Sequence, residues 1–168
     1  MKKVVGILIA IGLLVVILAA CGSGSSSAPD TFDELCALIG EDCKSAPFYN
    51  TSDKNIEVEK DEDDGEIWCE LTFNSDESKY YIAGINAVPE SLEWEAEDGV
   101  ITCFDIFYTE EAFDYVEEWA DENEDSFGES KYNNGCDYFF YTVNGKEVEV
   151  AIDYRSCCLS ISESNGIL

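Results

Sequence analysis

The chain has 168 residues and a formal net charge of −28, with 37 acidic side chains, nine basic ones and no histidine. An aromatic content of 12% and a hydrophobic content of 46% exclude a disordered acidic tail, which lacks the side chains to build a core. The negative charge excludes nucleic acid as a partner, because the phosphates would be repelled. The absence of histidine removes the usual general base near neutral pH and the commonest metal ligand.

The first 20 residues carry the three parts of an export signal. Lys2 and Lys3 form a charged start, and residues 4–20 are uncharged and rich in Ile, Leu and Val. Ala19 and Ala20 are the small residues that a signal peptidase requires before its cleavage site. A retained transmembrane helix and an ordinary secretory signal are the alternatives, although the apolar run is short for a membrane span.

The tetrapeptide Leu18-Ala19-Ala20-Cys21 resembles the lipobox of bacterial lipoproteins. The resemblance implies that residues 1–20 are a removed signal peptide and that the sulfur of Cys21 carries a diacylglycerol group. The membrane is then a partner through this lipid anchor, since two acyl chains suffice for stable attachment. Residues 21–29 are expected to form a flexible Gly/Ser-rich tether, and residues 30–168 a single acidic domain. The expected location is the extracytoplasmic, outer face of the bacterial cell membrane.

Seven of the eight cysteines remain once Cys21 is assigned to lipid. They are Cys36, Cys43, Cys69, Cys103, Cys136, Cys157 and Cys158. Outside the membrane, disulfides are the first expectation, and an odd number leaves at least one thiol free. Free buried thiols throughout are the alternative. The spacing does not resemble a zinc site, because paired C-x2-C motifs and histidine are both missing.

The first half of the domain reads as a helix followed by strands. Thr31 and Glu34 form a capping box for a helix that ends at Gly40. After a loop at 44–54, alternating side chains predict strands at 56–59 and 67–73, separated by an acidic turn at 61–65. Residues 79–87 form a further apolar run. Residues 92–108 are expected to form a hairpin around residues 97–99.

The second half repeats this order. A helix is expected after the cap Thr109, with a buried stripe on one side. The pair Asn144-Gly145 predicts a type I′ hairpin that places Tyr141 opposite Val148 and Phe139 opposite Val150. A last strand begins near residue 157. The predicted fold class is α+β, with two helices packed on antiparallel β-sheet, and a duplicated helix-plus-meander unit is an interpretation of the repeated order.

The best local motif for a metal is the run of residues 121–125. It resembles the first half of an EF-hand loop, because oxygen ligands at alternate positions suit calcium. The predicted calcium ligands are Asp121, Asn123 and Asp125. The run departs from that family at Ser126, where the loop needs Gly, and at Tyr132, where it needs Glu. A solvated helix end is the alternative, and no other cofactor is expected.

Three aromatic residues offer a candidate partner surface. Trp68, Tyr138 and Phe140 alternate away from the predicted core, and such a surface would bind a protein or a carbohydrate ring. The alternative is that this face is covered. Catalysis is not expected, because no serine or cysteine has a histidine partner. Carboxylate pairs arise by accident in so acidic a chain.

The sequence therefore predicts a lipid-anchored binding or protein-interaction module at the bacterial cell surface. A calcium- or small-solute-binding lipoprotein is one alternative, and it depends on the run at 121–125. A small carboxylate-dependent hydrolase is the other, since paired carboxylates can cleave glycosidic bonds.

Overall fold

Eight antiparallel strands form one sheet in the computed structural model, which describes residues 28–74, 80–128 and 130–164. The strands are β1 (Ile56–Asp63), β2 (Glu66–Phe73), β3 (Ser91–Glu97), β4 (Val100–Phe107), β5 (Lys131–Asn133), β6 (Cys136–Val143), β7 (Lys146–Asp153) and β8 (Cys158–Glu163). The α-helices are α1 (Phe32–Ala37) and α2 (Glu110–Glu122), and 3₁₀ turns lie at Cys43–Ser45 and Glu124–Ser126. None of the helices in these ranges is long and apolar enough to cross a membrane. The predicted signal peptide, Cys21 and the tether as far as residue 27 lie outside the described residues.

The sheet consists of two meanders joined along their last strands. The strand order is β1-β2-β3-β4-β8-β7-β6-β5, so β4 pairs with β8 in the middle of the sheet. Four tight turns connect neighbouring strands of the meanders. In each turn both central residues have positive φ, as type I′ hairpins require. These turns are Asp64-Gly65, Asp98-Gly99, Asn134-Gly135 and Asn144-Gly145.

One face of the sheet carries the hydrophobic core. Alternate side chains of the central strands are buried there, including Leu71, Leu92, Trp94, Ile106, Val150, Leu159 and Ile161. α1 covers this face with Leu35 and Cys36, and irregular segments cover it with Phe48, Ile82 and Ile85. All of these residues belong to one cluster of buried side chains, so the opposite face of the sheet contributes little to the core.

The predicted fold class, α+β with two helices packed on antiparallel sheet, is wrong. Among the described residues, strands account for 44% and helices, 3₁₀ turns included, for 19%, so the fold is β-rich. α1 has only six residues, and only Phe113 and Val116 of the 13 residues in α2 are buried. The helices are minor elements because irregular segments, such as residues 46–49 and 82–87, bury much of the sheet instead.

Several local predictions are confirmed by the structure. The Thr31 hydroxyl accepts a hydrogen bond from the Glu34 N–H at 3.2 Å, and Thr109 caps α2 in the same way. Tyr141 pairs with Val148 and Phe139 with Val150, as predicted. The apolar run at 79–87 is not a strand over its described residues, because Ala83 and Gly84 both have positive φ and turn the chain.

Lys146 closes the end of α1. Its ammonium group donates a hydrogen bond to the backbone carbonyl of Ile39, just beyond the last turn of the helix. Ile39 follows the C-cap Leu38, and the helix dipole favours a cation near the C-terminal end of a helix. Gly40 follows with φ +80°, and a Cβ atom at this position would clash with the Lys146 ammonium. The helix end and the β6–β7 hairpin are therefore joined through one lysine.

Candidate partner-binding surface

The outward side chains of β1 to β4 form an acidic face, defined by ten carboxylates. They are Glu57, Glu59, Asp61, Asp63, Glu66, Glu70, Glu93, Glu95, Glu97 and Asp105. Strand register aligns four of them in one line across the sheet, namely Glu59, Glu70, Glu93 and Asp105. Neighbouring strands lie about 4.8 Å apart, so each carboxylate in this line has another as its cross-strand neighbour.

This arrangement is electrostatically unfavourable within the chain. Like charges directly opposite each other destabilise a sheet. Within the described ranges, the only ion pair joins Arg155 to Asp153, at 3.2 Å, and it lies on the other meander. The pKa of Glu93 is raised, first because partial burial disfavours its charged form and then because Glu70, Asp105 and Glu95 surround it. The acidic face thus carries repulsion that no described side chain neutralises.

Trp68 is an aromatic residue within the acidic face. It is half-buried and lies between Asp61 and Glu95 in the register of β1, β2 and β3. Its indole N–H donates a hydrogen bond to a carboxylate oxygen of Glu93 at 3.2 Å, which fixes the ring. A concave region of about 500 Å³ includes Trp68, Glu95 and Cys103 in its lining. The face therefore combines negative charge with one immobilised aromatic ring.

A polar cluster forms around Asp105 of the acidic face, where β4 pairs with β8. Asp105 accepts a hydrogen bond from the Ser160 hydroxyl, and the Cys158 sulfur lies 3.9 Å from the same carboxylate oxygen. Burial is the main cause that raises the pKa of the Cys158 thiol to about 12. The thiol therefore stays protonated near neutral pH, and a protonated thiol is a poor nucleophile.

The three predicted surface aromatics share one sheet face but do not form one patch. The register runs from Trp68 through Glu95, Cys103, Ser162 and Glu149 to Phe140. Five steps between strands separate the two aromatic residues, about 24 Å at the usual strand spacing. Tyr138 and Phe140 lie on β6, and both are half-buried. The structure therefore brings Tyr138 and Phe140 together and leaves Trp68 among the carboxylates.

The predicted calcium ligands lie at the end of α2. Asp121 is in its last turn, Asn123 is its C-cap and Asp125 is in the following 3₁₀ turn. The Asn123 side-chain amide donates a hydrogen bond to the carbonyl of Trp119 at 2.7 Å. Among the described residues, no group of three or more Asp, Glu or Cys side chains could hold a metal ion. Calcium binding at 121–125 stays a prediction.

The seven cysteines after residue 27 are free thiols in the structure. Five of them are buried, and Cys103 and Cys157 are partly exposed. Cys136 and Cys158 lie on β6 and β8 with Asp153 of β7 paired between them, so these two are not neighbours. The expected disulfides stay a prediction, which a thiol titration of the native and the unfolded protein would decide.

No family model, curated protein or solved structure matches this chain. The line of carboxylates was not predicted from the sequence, although a signal for it exists. Acidic residues recur at every second position in 57–63 and again in 93–97, the period of a strand with one charged face. Only the strand order shows that these two runs lie on the same face of the sheet, on β1 and β3 with β2 between them.

Proposed function

We propose that this chain is a lipid-anchored, extracytoplasmic protein-interaction module, which binds a positively charged protein surface through the acidic face. The observation that supports this most is the line of Glu59, Glu70, Glu93 and Asp105 across four neighbouring strands. A basic partner would relieve the repulsion between these carboxylates. Complementary charge would also speed association with the correct partner and exclude acidic ones.

Trp68 supplies an anchor for such a partner. A lysine or arginine side chain placed over an indole ring gains from a cation–π interaction, which is strongest for tryptophan. The hydrogen bond to Glu93 holds the ring in place before binding, so little side-chain freedom is lost. Binding is therefore expected to depend on Trp68 as well as on net charge.

The lipid anchor belongs to the same proposal and is supported by the lipobox resemblance at residues 18–21. A flexible tether of Gly and Ser would let the domain move above the membrane while it stays attached. Bilayers rich in anionic lipid would repel the acidic domain, which leaves the acidic face free for a basic partner.

A charge-matched pair of variants tests the binding surface. The first variant removes three charges from the acidic face by combining Glu70→Gln, Glu93→Gln and Glu95→Gln. The control variant removes three charges from the exposed side of α2 by combining Asp114→Asn, Glu117→Gln and Glu118→Gln.

Binding of a lysine-rich peptide is measured by calorimetry at low and at high salt. We expect saturable binding to the intact domain, a loss of about tenfold or more in the acidic-face variant, and little change in the α2 variant. A third variant, Trp68→Leu, should weaken binding although the charge is unchanged. Equal losses of affinity in the two charge variants, with no effect of Trp68→Leu, would mean that binding depends only on net charge. This result would refute the proposal.

A further inference from the structure

A second concave region, the aromatic cleft, lies on the covered side of the sheet. Four rings line it, and they come from four separate segments of the chain, namely Phe32, Trp119, Phe127 and Tyr141. Two carboxylates, Asp30 and Asp33, also line it and are exposed to solvent. The cleft has a volume of about 310 Å³, which lies at the lower end of the range for small-molecule sites.

The rings stand close to one another. Phe32 lies 4.8 Å from Trp119 and 5.1 Å from Tyr141, measured between ring centroids. Phe127 lies 5.7 Å from Trp119 and 5.8 Å from Tyr141. Phe32 is buried, whereas the other three rings are partly exposed. The four rings therefore pack against one another as one aromatic cluster that lines the cleft.

The charge in the cleft is negative. The Tyr141 hydroxyl donates a hydrogen bond to Asp33, so this carboxylate is held beside the rings. The pKa of Tyr141 is raised to about 12, mainly by this hydrogen bond, so the phenol stays neutral at physiological pH. In the part of the chain that the structure describes, neither Asp30 nor Asp33 forms an ion pair. Aromatic faces carry negative potential, which adds to that of the carboxylates.

We infer that the aromatic cleft binds a small organic cation of the alkylated or quaternary ammonium class. Aromatic rings and carboxylates that line the same cavity favour such cations, because a quaternary ammonium offers positive charge without hydrogen-bond donors. The cleft is separate from the acidic face, since Tyr141 lies on the core side of β6 and Trp68 on the opposite side of the sheet. This inference therefore stands or falls independently of the proposed function.

Choline and its neutral carbon isostere, 3,3-dimethylbutan-1-ol, are the probes for this site. They have the same shape, so a difference in affinity reports charge recognition. Binding is measured from the shifts of backbone amide signals in a titration followed by nuclear magnetic resonance. We expect saturable binding of choline, shifts at Gly84 and Asn123 beside the cleft, and affinity about tenfold weaker for the isostere.

Asp33→Asn removes a charge but keeps an oxygen that can accept from Tyr141, so the fold should survive. It should weaken choline binding about fivefold or more and leave the isostere unaffected. Asp114→Asn, on the exposed side of α2, makes the same chemical change outside the cleft, so it is the matched control and should leave choline binding unchanged. Equal affinity for both probes, an equal effect of the two variants, or no saturable binding of choline would each overturn the inference.

Discussion

Glu93→Gln should stabilise the folded domain, although it removes a charge that accepts a hydrogen bond. Glu93 is paired with Glu70 on one side and with Asp105 on the other. Cross-strand charge pairs contribute roughly 0.2–1 kcal/mol each, so relief of two repulsive pairs gives about 1 kcal/mol. The glutamine oxygen can still accept from the Trp68 indole N–H, so most of that hydrogen bond is kept.

Thermal unfolding followed by circular dichroism measures this effect. For a domain of this size, about 1 kcal/mol corresponds to a rise of roughly 3–5 °C in Tm. Glu118→Gln, on the exposed side of α2, is the control and should change the free energy of unfolding by less than about 0.5 kcal/mol. High salt should reduce the difference, because it screens the repulsion that the substitution removes. A lower Tm for Glu93→Gln at low salt, or a rise no larger than that of the control, would refute the reasoning about the acidic face.

Three further predictions follow from named residues. The pKa of Glu93 in the folded domain is raised above its ordinary value of 4.5. The protonated side chain therefore favours the folded state below pH 4.5, and this contribution to stability is lost as the pH rises through the folded-state pKa. The Tm should therefore fall as the pH rises above 4.5, and Glu93→Gln should reduce this fall. Gly40→Ala should lower the free energy of unfolding by about 1 kcal/mol more than Gly99→Ala in chemical denaturation. Both glycines have φ +80°, but only Gly40 is in contact with Lys146, whose hydrogen bond to the end of α1 would be lost; equal losses would contradict this role of the lysine. Cys21→Ser should move the protein from the membrane fraction to the soluble fraction of cells, whereas continued membrane association would contradict lipidation.

The hairpins could be predicted from the sequence because their signals are local. The Asn144-Gly145 turn and the alternation on both sides fix the register of β6 and β7 without knowledge of the remaining fold. The same dipeptide occurs at Asn134-Gly135, but the short strand β5 before it was not predicted. Its three residues are all exposed, so no apolar alternation accompanies the turn there.

The covering layer could not be predicted because it depends on tertiary burial. Phe48, Ile82 and Ile85 belong to segments without helical or strand periodicity, yet all three are fully buried. Phe48 and Ala83 even adopt positive φ, a conformation that is uncommon for residues with a side chain. The second predicted helix does form, as α2, but only two of its 13 residues are buried. It therefore does not cover the sheet as expected.

The two candidate sites differ in how far the sequence could reveal them. Trp68 was predicted as a surface residue from alternation alone, and it lies within the acidic face. The aromatic cleft was not predicted, because its rings come from α1, α2, the turn after α2 and β6. Residues so far apart in the chain can only be brought together by the fold itself.

The most direct test of the acidic face is a map of where a basic peptide binds. Isotope-labelled protein is titrated with a lysine-rich peptide, and amide and indole N–H shifts are followed by nuclear magnetic resonance. The account predicts that the largest shifts lie on β1 to β4 and at the Trp68 indole, which the spectrum of Trp68→Leu identifies. Shifts that lie mainly on the exposed acidic side of α2, or that are spread evenly over all acidic surfaces, would contradict it.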